Sequence, residues 1–167
     1  IIAILAAVAI PNFMKYQKRG RRAEAELLLK GMKIAMGSYA AERNQYEDTS
    51  ACPGAQPGAD KVACNWYGTD DGWYTIGFAA DEYVYCTYAC LADTGGGYGC
   101  GAVCDIDGDS NNSEYAVEVP NSDGDVGGSI PINAGVLQTV CTSPPTDDRD
   151  DTAKKGTVVR CTDGEIF

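Results

Sequence analysis

Oxygen-bearing side chains recur at alternate positions in the segment Asp105-Ile-Asp107-Gly-Asp109-Ser-Asn111-Asn112-Ser-Glu114. A hard cation such as Ca²⁺ takes roughly six to eight oxygen ligands, and Asp105, Asp107, Asp109, Asn111 and Glu114 could supply several. The segment departs from the EF-hand pattern. Its glycine stands fourth instead of sixth, and its twelfth position is Ala116. The competing reading is a polar hairpin loop with its acids facing water. Clustered carboxylates repel one another, so Asp105, Asp107 and Asp109 require either solvent or a cation. A weaker echo, Asn121-Ser-Asp123-Gly-Asp125, reads better as a turn.

Cysteine is the other reactive type. The chain has eight, Cys52, Cys64, Cys86, Cys90, Cys100, Cys104, Cys141 and Cys161, and no histidine. Without histidine there is no Ser-His-Asp or Cys-His catalysis and no imidazole metal ligand. An even, dispersed set of cysteines reads as a disulfide framework formed outside the reducing cytosol. The spacings Cys86-x₃-Cys90 and Cys100-x₃-Cys104 have a faint zinc-ribbon look, but two-residue spacings are the commoner zinc pattern and the surroundings are acidic. Disulfides are the better reading, and Cys52 with Cys64 is a candidate pair inside one loop. No nucleophile stands beside a base, so an enzyme is not expected. Asn111-Asn112-Ser113 matches the N-glycosylation pattern weakly. Phe13, Tyr16, Tyr39 and Tyr46 are read as packing and interface anchors in preference to a conduction path.

Two unlike halves must position these groups. The chain has 167 residues and a net charge of −11, which disfavours nucleic-acid binding by bulk charge. Residues 1–50 carry eight basic and five acidic side chains, while residues 51–167 carry five basic and nineteen acidic ones. All the cysteines lie in the second part. We expect a helix over 1–47, with 1–22 as a projecting half and 23–47 packed on an acidic, disulfide-stapled β head over 48–167. Ile1 to Ile10 is apolar throughout, and Lys15, Lys18, Arg19, Arg21 and Arg22 follow closely. Ten apolar residues are too few to cross a bilayer, which takes about 20. Leu27, Leu28, Gly31, Ile34, Ala35, Ser38 and Tyr39 recur at helical spacing as one apolar or small stripe. Strands are predicted, weakly, at Trp73–Phe78 and, more clearly, at Glu82–Tyr88, Ser113–Val119 and Gly156–Cys161. The fold class is α+β: a long helix on an antiparallel sheet with disulfide-rich loops.

The run Ile1-Ile-Ala-Ile-Leu-Ala-Ala-Val-Ala-Ile-Pro-Asn-Phe-Met-Lys-Tyr-Gln-Lys18 resembles the N-terminal helix of bacterial type IV pilins. Arg22-Ala-Glu-Ala25, Leu27 to Lys30 and Tyr39 to Tyr46 continue the resemblance. It implies a pilin-like fold and a chain beginning about eleven residues into the mature protein, so that the family's methylated phenylalanine and its assembly glutamate precede Ile1. Ala3 stands where many pilins have glycine. Cys141 and Cys161 resemble the late pair that closes many pilin heads.

The resemblance further implies a structural subunit that polymerises through its N-terminal helix into an extracellular filament used for adhesion or motility. Its partners would be copies of itself, the inner membrane before assembly, and the pilus assembly machinery, with the head in the periplasm. Ile1, Ile2, Ile4, Leu5, Val8, Ile10 and Phe13 are the expected filament-core residues. Pro11 cannot donate to the Ala7 carbonyl, so a kink or local extension is expected there. The Lys15–Arg22 cluster is expected either to pair with acidic groups of adjacent subunits or to form a solvated collar. A type II secretion pseudopilin and a non-polymerising, membrane-anchored calcium-binding adhesin are the alternatives.

Overall fold

The computed structural model of the chain describes residues 2–54, 58–68, 72–92, 96–109, 112–119 and 158–162. One helix, α1 (Ile2–Arg43), precedes six strands: β1 (Val62–Ala63), β2 (Tyr83–Val84), β3 (Cys86–Ala92), β4 (Tyr98–Cys104), β5 (Ser113–Val119) and β6 (Val158–Thr162). The expected α+β architecture is present. Helical order is unbroken across Pro11, so the subunit shows no extension at that residue. The helix stops at Arg43, four residues before the expected limit. Asn44 takes the left-handed conformation with φ 57°, and its N–H still donates to the Ala40 carbonyl at 2.8 Å. Asparagine tolerates that conformation better than other non-glycine residues, and it ends helices in this way.

Strands β3, β4, β5 and β6 form one antiparallel sheet in chain order, and β1 pairs with β2 separately. Ser113–Val119 is a strand with the expected limits. The strand expected at Glu82–Tyr88 is divided between β2 and β3 at Tyr85, and the expected Gly156–Cys161 strand is β6. Trp73–Phe78 is not a strand. It is a helical turn in which the Ile76 N–H donates to the Gly72 carbonyl at 3.1 Å. Trp73, Ile76 and Phe78 are buried, so the turn points its large side chains inward. Gly72 has φ +75°, and a Cβ there would collide with the Asp48 carbonyl oxygen. Only glycine fits that position.

The central strand β4, Tyr-Gly-Cys-Gly-Ala-Val-Cys, has every residue buried. Glycines weaken strand propensity, and they conceal this one from pattern reading. The cysteines supply the missing signal. Cys86 lies opposite Cys104 and Cys90 opposite Cys100 in the β3–β4 register, and both pairs are disulfide-bonded. Their Cα separations of 4.3 and 4.0 Å suit directly facing residues of antiparallel strands. Equal x₃ spacings on two segments are what two such rungs require. These two bonds therefore staple the sheet; Cys86 lies in a predicted strand, whereas Cys90, Cys100 and Cys104 lay outside the predicted ones. Cys52 and Cys64 form the third bond, within the segment after the helix. That segment also extends the sheet. Thr49 N–H donates to the Cys90 carbonyl at 2.9 Å, and Cys52 and Tyr88 exchange two backbone bonds of 2.8 Å.

The core lies between α1 and the sheet. Leu29, Met32 and Met36 meet Trp66, Trp73, Tyr88, Tyr98, Tyr115 and Val117 there. Trp66 makes edge contacts with Trp73 at 5.1 Å and Phe78 at 5.4 Å between ring centroids. Gly31 lets the Phe78 ring approach the helix, since a Cβ would lie 3.0 Å from Cε2. The Tyr98 hydroxyl donates to the Lys33 carbonyl at 3.2 Å. Burial raises the Tyr88 and Tyr98 phenols well above the ordinary tyrosine range.

Candidate functional site

The helix has two apolar faces. Arg22, Ala25, Leu29, Met32 and Met36 step by three and four residues and are all buried against the head. The apolar or small stripe read from the sequence is not this buried one, and its residues are turned away from the head or lie at its flank. Leu27 is 68% and Ile34 70% exposed, whereas Leu28, Ala35 and Tyr39 are partly buried at the edge of the core. At about 100° per residue, Leu27 and Ile34 stand opposite the buried stripe. Tyr16, 69% exposed, lies on the same outward line, with Gly20, Ala23, Ser38 and Ala41 between and beyond.

Towards its start the helix leaves the head. Residues 9–17 are exposed, including Ile10, Phe13 and Met14. The backbone of residues 2–17 is helical and extends about 24 Å. Ile1 lies outside the described residues, as do the side chains of Ile2, Ile4, Leu5 and Val8. Among the described residues no helix is long and apolar enough to cross a membrane.

Much of the basic cluster faces the head. Lys18 forms a 3.0 Å ion pair with Asp107. The Arg21 guanidinium donates to the Ala59 carbonyl at 2.9 Å and lies 5.0 Å from the Tyr85 ring centroid. Arg22 is buried against the head. Next to them, Glu24 accepts the Tyr85 N–H at 2.8 Å and pairs with Lys61 at 3.0 Å. Lys18, Arg21 and Arg22 thus hold their own head, and for those three both expectations, pairing with adjacent subunits and a solvated collar, are corrected. Lys15 and Arg19 remain exposed.

The acidic loop brings Asp105, Asp107 and Asp109 together, with one carboxylate oxygen from each within 4.8 Å of the others. Asp105 is buried, Asp107 half-buried and Asp109 exposed. An Asp105 carboxylate oxygen accepts the Gly108 N–H at 2.8 Å, which closes the turn, and Gly108 supplies the required positive φ of 73°. Glu114 stands on β5 outside the cluster, and Asn111 lies outside the described residues. Two of the five expected ligands are therefore not placed at the site. Three carboxylates fall short of a full calcium shell. One of them, Asp107, also holds the Lys18 ammonium. No sequence signal linked Lys18 to Asp107, since the two are 89 residues apart. Cys141, the Cys161 side chain and the Asn121–Asp125 segment also lie outside the described residues.

The chain is 48% identical over 48 residues to the type IV major pilin protein PilA of Myxococcus xanthus (strain DK1622). Over this stretch the chain is pilin-like. The match covers 29% of the chain and 22% of that protein's length. No family model matches the chain, and no solved structure does. The helix is anchored on one side and offers apolar surface on the other.

Proposed function

We propose that the chain is the structural subunit of a type IV pilus, without enzymatic activity, which polymerises through α1 into an extracellular filament. The observation that carries this reading is the outward apolar face running from Phe13 through Tyr16 to Leu27 and Ile34. A contiguous apolar face on a helix already anchored elsewhere needs another partner, and copies of the same helix provide one. The similarity to a major pilin supports that choice. Gly20 and Ala23 on the same face allow close approach between helices. Before assembly the apolar start of the helix would rest in the inner membrane, with the disulfide-bonded head in the oxidising periplasm. Adhesion and motility would be properties of the finished filament.

Electron microscopy of filaments sheared from cells producing the full chain tests the reading. Helical fibres with α1 bundled along the axis are expected. A monodisperse, detergent-free monomer of the full chain would overturn it.

A further inference from the structure

Three glycines stand inside α1, at positions 20, 31 and 37. A glycine within a helix lowers its stability, because the backbone has more freedom to lose and no side chain to shield it. Gly31 is required by packing, since the Phe78 ring takes the space a Cβ would occupy. A Cβ at Gly20 or Gly37 would meet nothing within 4 Å outside the adjacent helical backbone. Neither is needed to let the head approach the helix.

Gly37 is held on both sides. Met36 before it is fully buried, and Tyr39 and Ala40 after it are partly buried. Gly20 stands at a border. After it, Arg21 donates to the Ala59 carbonyl, Arg22 and Ala25 are buried, and Glu24 holds Lys61 and the Tyr85 N–H. Before it, residues 9–17 are exposed. The Lys18–Asp107 ion pair crosses that border and ties the projecting part of α1 to the turn after β4.

The helix geometry sets a direction for bending. Lys18 and Gly20, two residues apart, stand about 160° apart round the helix. Lys18 faces the head, so Gly20 faces away. A bend that carries the projecting part off the head makes the Gly20 side concave. The missing side chain leaves room there, and exposed carbonyls on a bent helix can turn to water. The same bend draws Lys18 from Asp107. That pair keeps 24% and 13% of its side-chain surface exposed, so it is weak and screened by salt.

We propose that Gly20 is a hinge in α1 and that the Lys18–Asp107 pair is the latch that holds it straight. When the latch opens, the part of α1 before Gly20 swings away from the head, while Arg21 to Met36 stays packed on it. The device belongs to the single subunit and stands or falls apart from the polymerising role proposed above.

The test measures two distances in the full chain, in detergent, by double electron–electron resonance. Asn12 to Tyr74 spans the hinge, and Ser38 to Tyr74 lies wholly beyond it. All three positions are exposed, and the labels are carried on inserted keto amino acids, so no cysteine is added. At about 0.05 M salt the Asn12–Tyr74 distribution of the parent should be narrow. At about 0.5 M, where charges are screened within a few ångströms, its width should at least double. Lys18→Met should give the broad distribution at both concentrations. Gly20→Ala should give the narrow one at both, alone and combined with Lys18→Met, with a melting temperature no lower than the parent's. The Ser38–Tyr74 width should be the same in every chain.

A parent that keeps one narrow Asn12–Tyr74 distance at both salt concentrations would overturn the proposal. So would a Lys18→Met chain that stays narrow, which removes the latch, or a Gly20→Ala chain that broadens as the parent does, which removes the hinge. Broadening of both distances together would mean that α1 leaves the head as a whole, and would overturn it as well.

Discussion

Met32 and Ile34 are two residues apart on the same helix, yet Met32 is fully buried and Ile34 is 70% exposed. Both belong to apolar stripes with helical spacing. What separates them is only which stripe the head covers, and the head chose Arg22, Ala25, Leu29, Met32 and Met36. A soluble helix with one partner needs one apolar face. A second face of similar character, left open from Phe13 to Ile34, indicates a helix with two partners, its own head and something outside the subunit.

Truncating the two faces should give opposite results, and this is the largest effect we expect. Leu29→Ala removes a fully buried side chain and should destabilise the head by about 3 kcal/mol. That corresponds to a melting temperature lower by roughly 6–12 °C for a chain of this size. Leu27→Ala should change stability by less than about 0.5 kcal/mol, because its side chain faces solvent in the subunit. It should instead reduce filament recovery. Thermal melting and shearing of the same two variants make the comparison. If Leu27→Ala melts as low as Leu29→Ala, the outward face is part of the fold and the two-partner view is wrong.

A graded effect is expected with pH. The Tyr88 and Tyr98 phenols both belong to the inward side, and burial raises both above the ordinary value of 10.0. The folded state therefore prefers the neutral phenol more strongly than the unfolded chain does. Their contribution is intact below pH 10 and is lost as pH rises above it, because the unfolded state releases those protons first. Melting temperature should be insensitive to these groups at neutral pH and should fall above pH 10. Phenolate absorbance from the buried pair should appear together with unfolding. Ionisation of all tyrosines in a chain that stays folded would show that the inward side admits water.

The elements most legible in the sequence were those whose signal is local. The α1 helix announces itself by composition, and Ser113–Val119 by alternation that ends at Pro120. The Trp73–Phe78 segment misled because its aromatic residues suit a strand, while Gly72 and Gly77, at φ +75° and +69°, permit a tight helical turn. Strand β4 was hidden by its glycines, although the matched Cys86/Cys90 and Cys100/Cys104 spacings encoded its antiparallel partner. The choice of helix face could not be read locally. It depends on which stripe meets Trp66, Tyr88 and Tyr98, all distant in the chain. The acidic loop was legible as a cluster, but its cation was not, since Lys18 comes from the other half of the molecule.

That cation supports the smallest prediction. Lys18 and Asp107 keep 24% and 13% of their side-chain surface exposed, so solvent screens the pair. Lys18→Met, which keeps the side chain's length and loses its charge, should cost no more than about 1 kcal/mol. The informative readout is calcium. With Lys18 present, one positive charge already sits on Asp107, one of the three converging carboxylates. Its removal takes that charge from Asp107, beside Asp105 and Asp109, and favours another cation there. Millimolar calcium should therefore raise the melting temperature of the Lys18→Met chain more than that of the parent, and a chelator should reverse the difference. Equal shifts in the two chains would mean that the ammonium does not occupy the carboxylates' shared space. The contact between helix and loop would then be a surface ion pair with no bearing on cation binding.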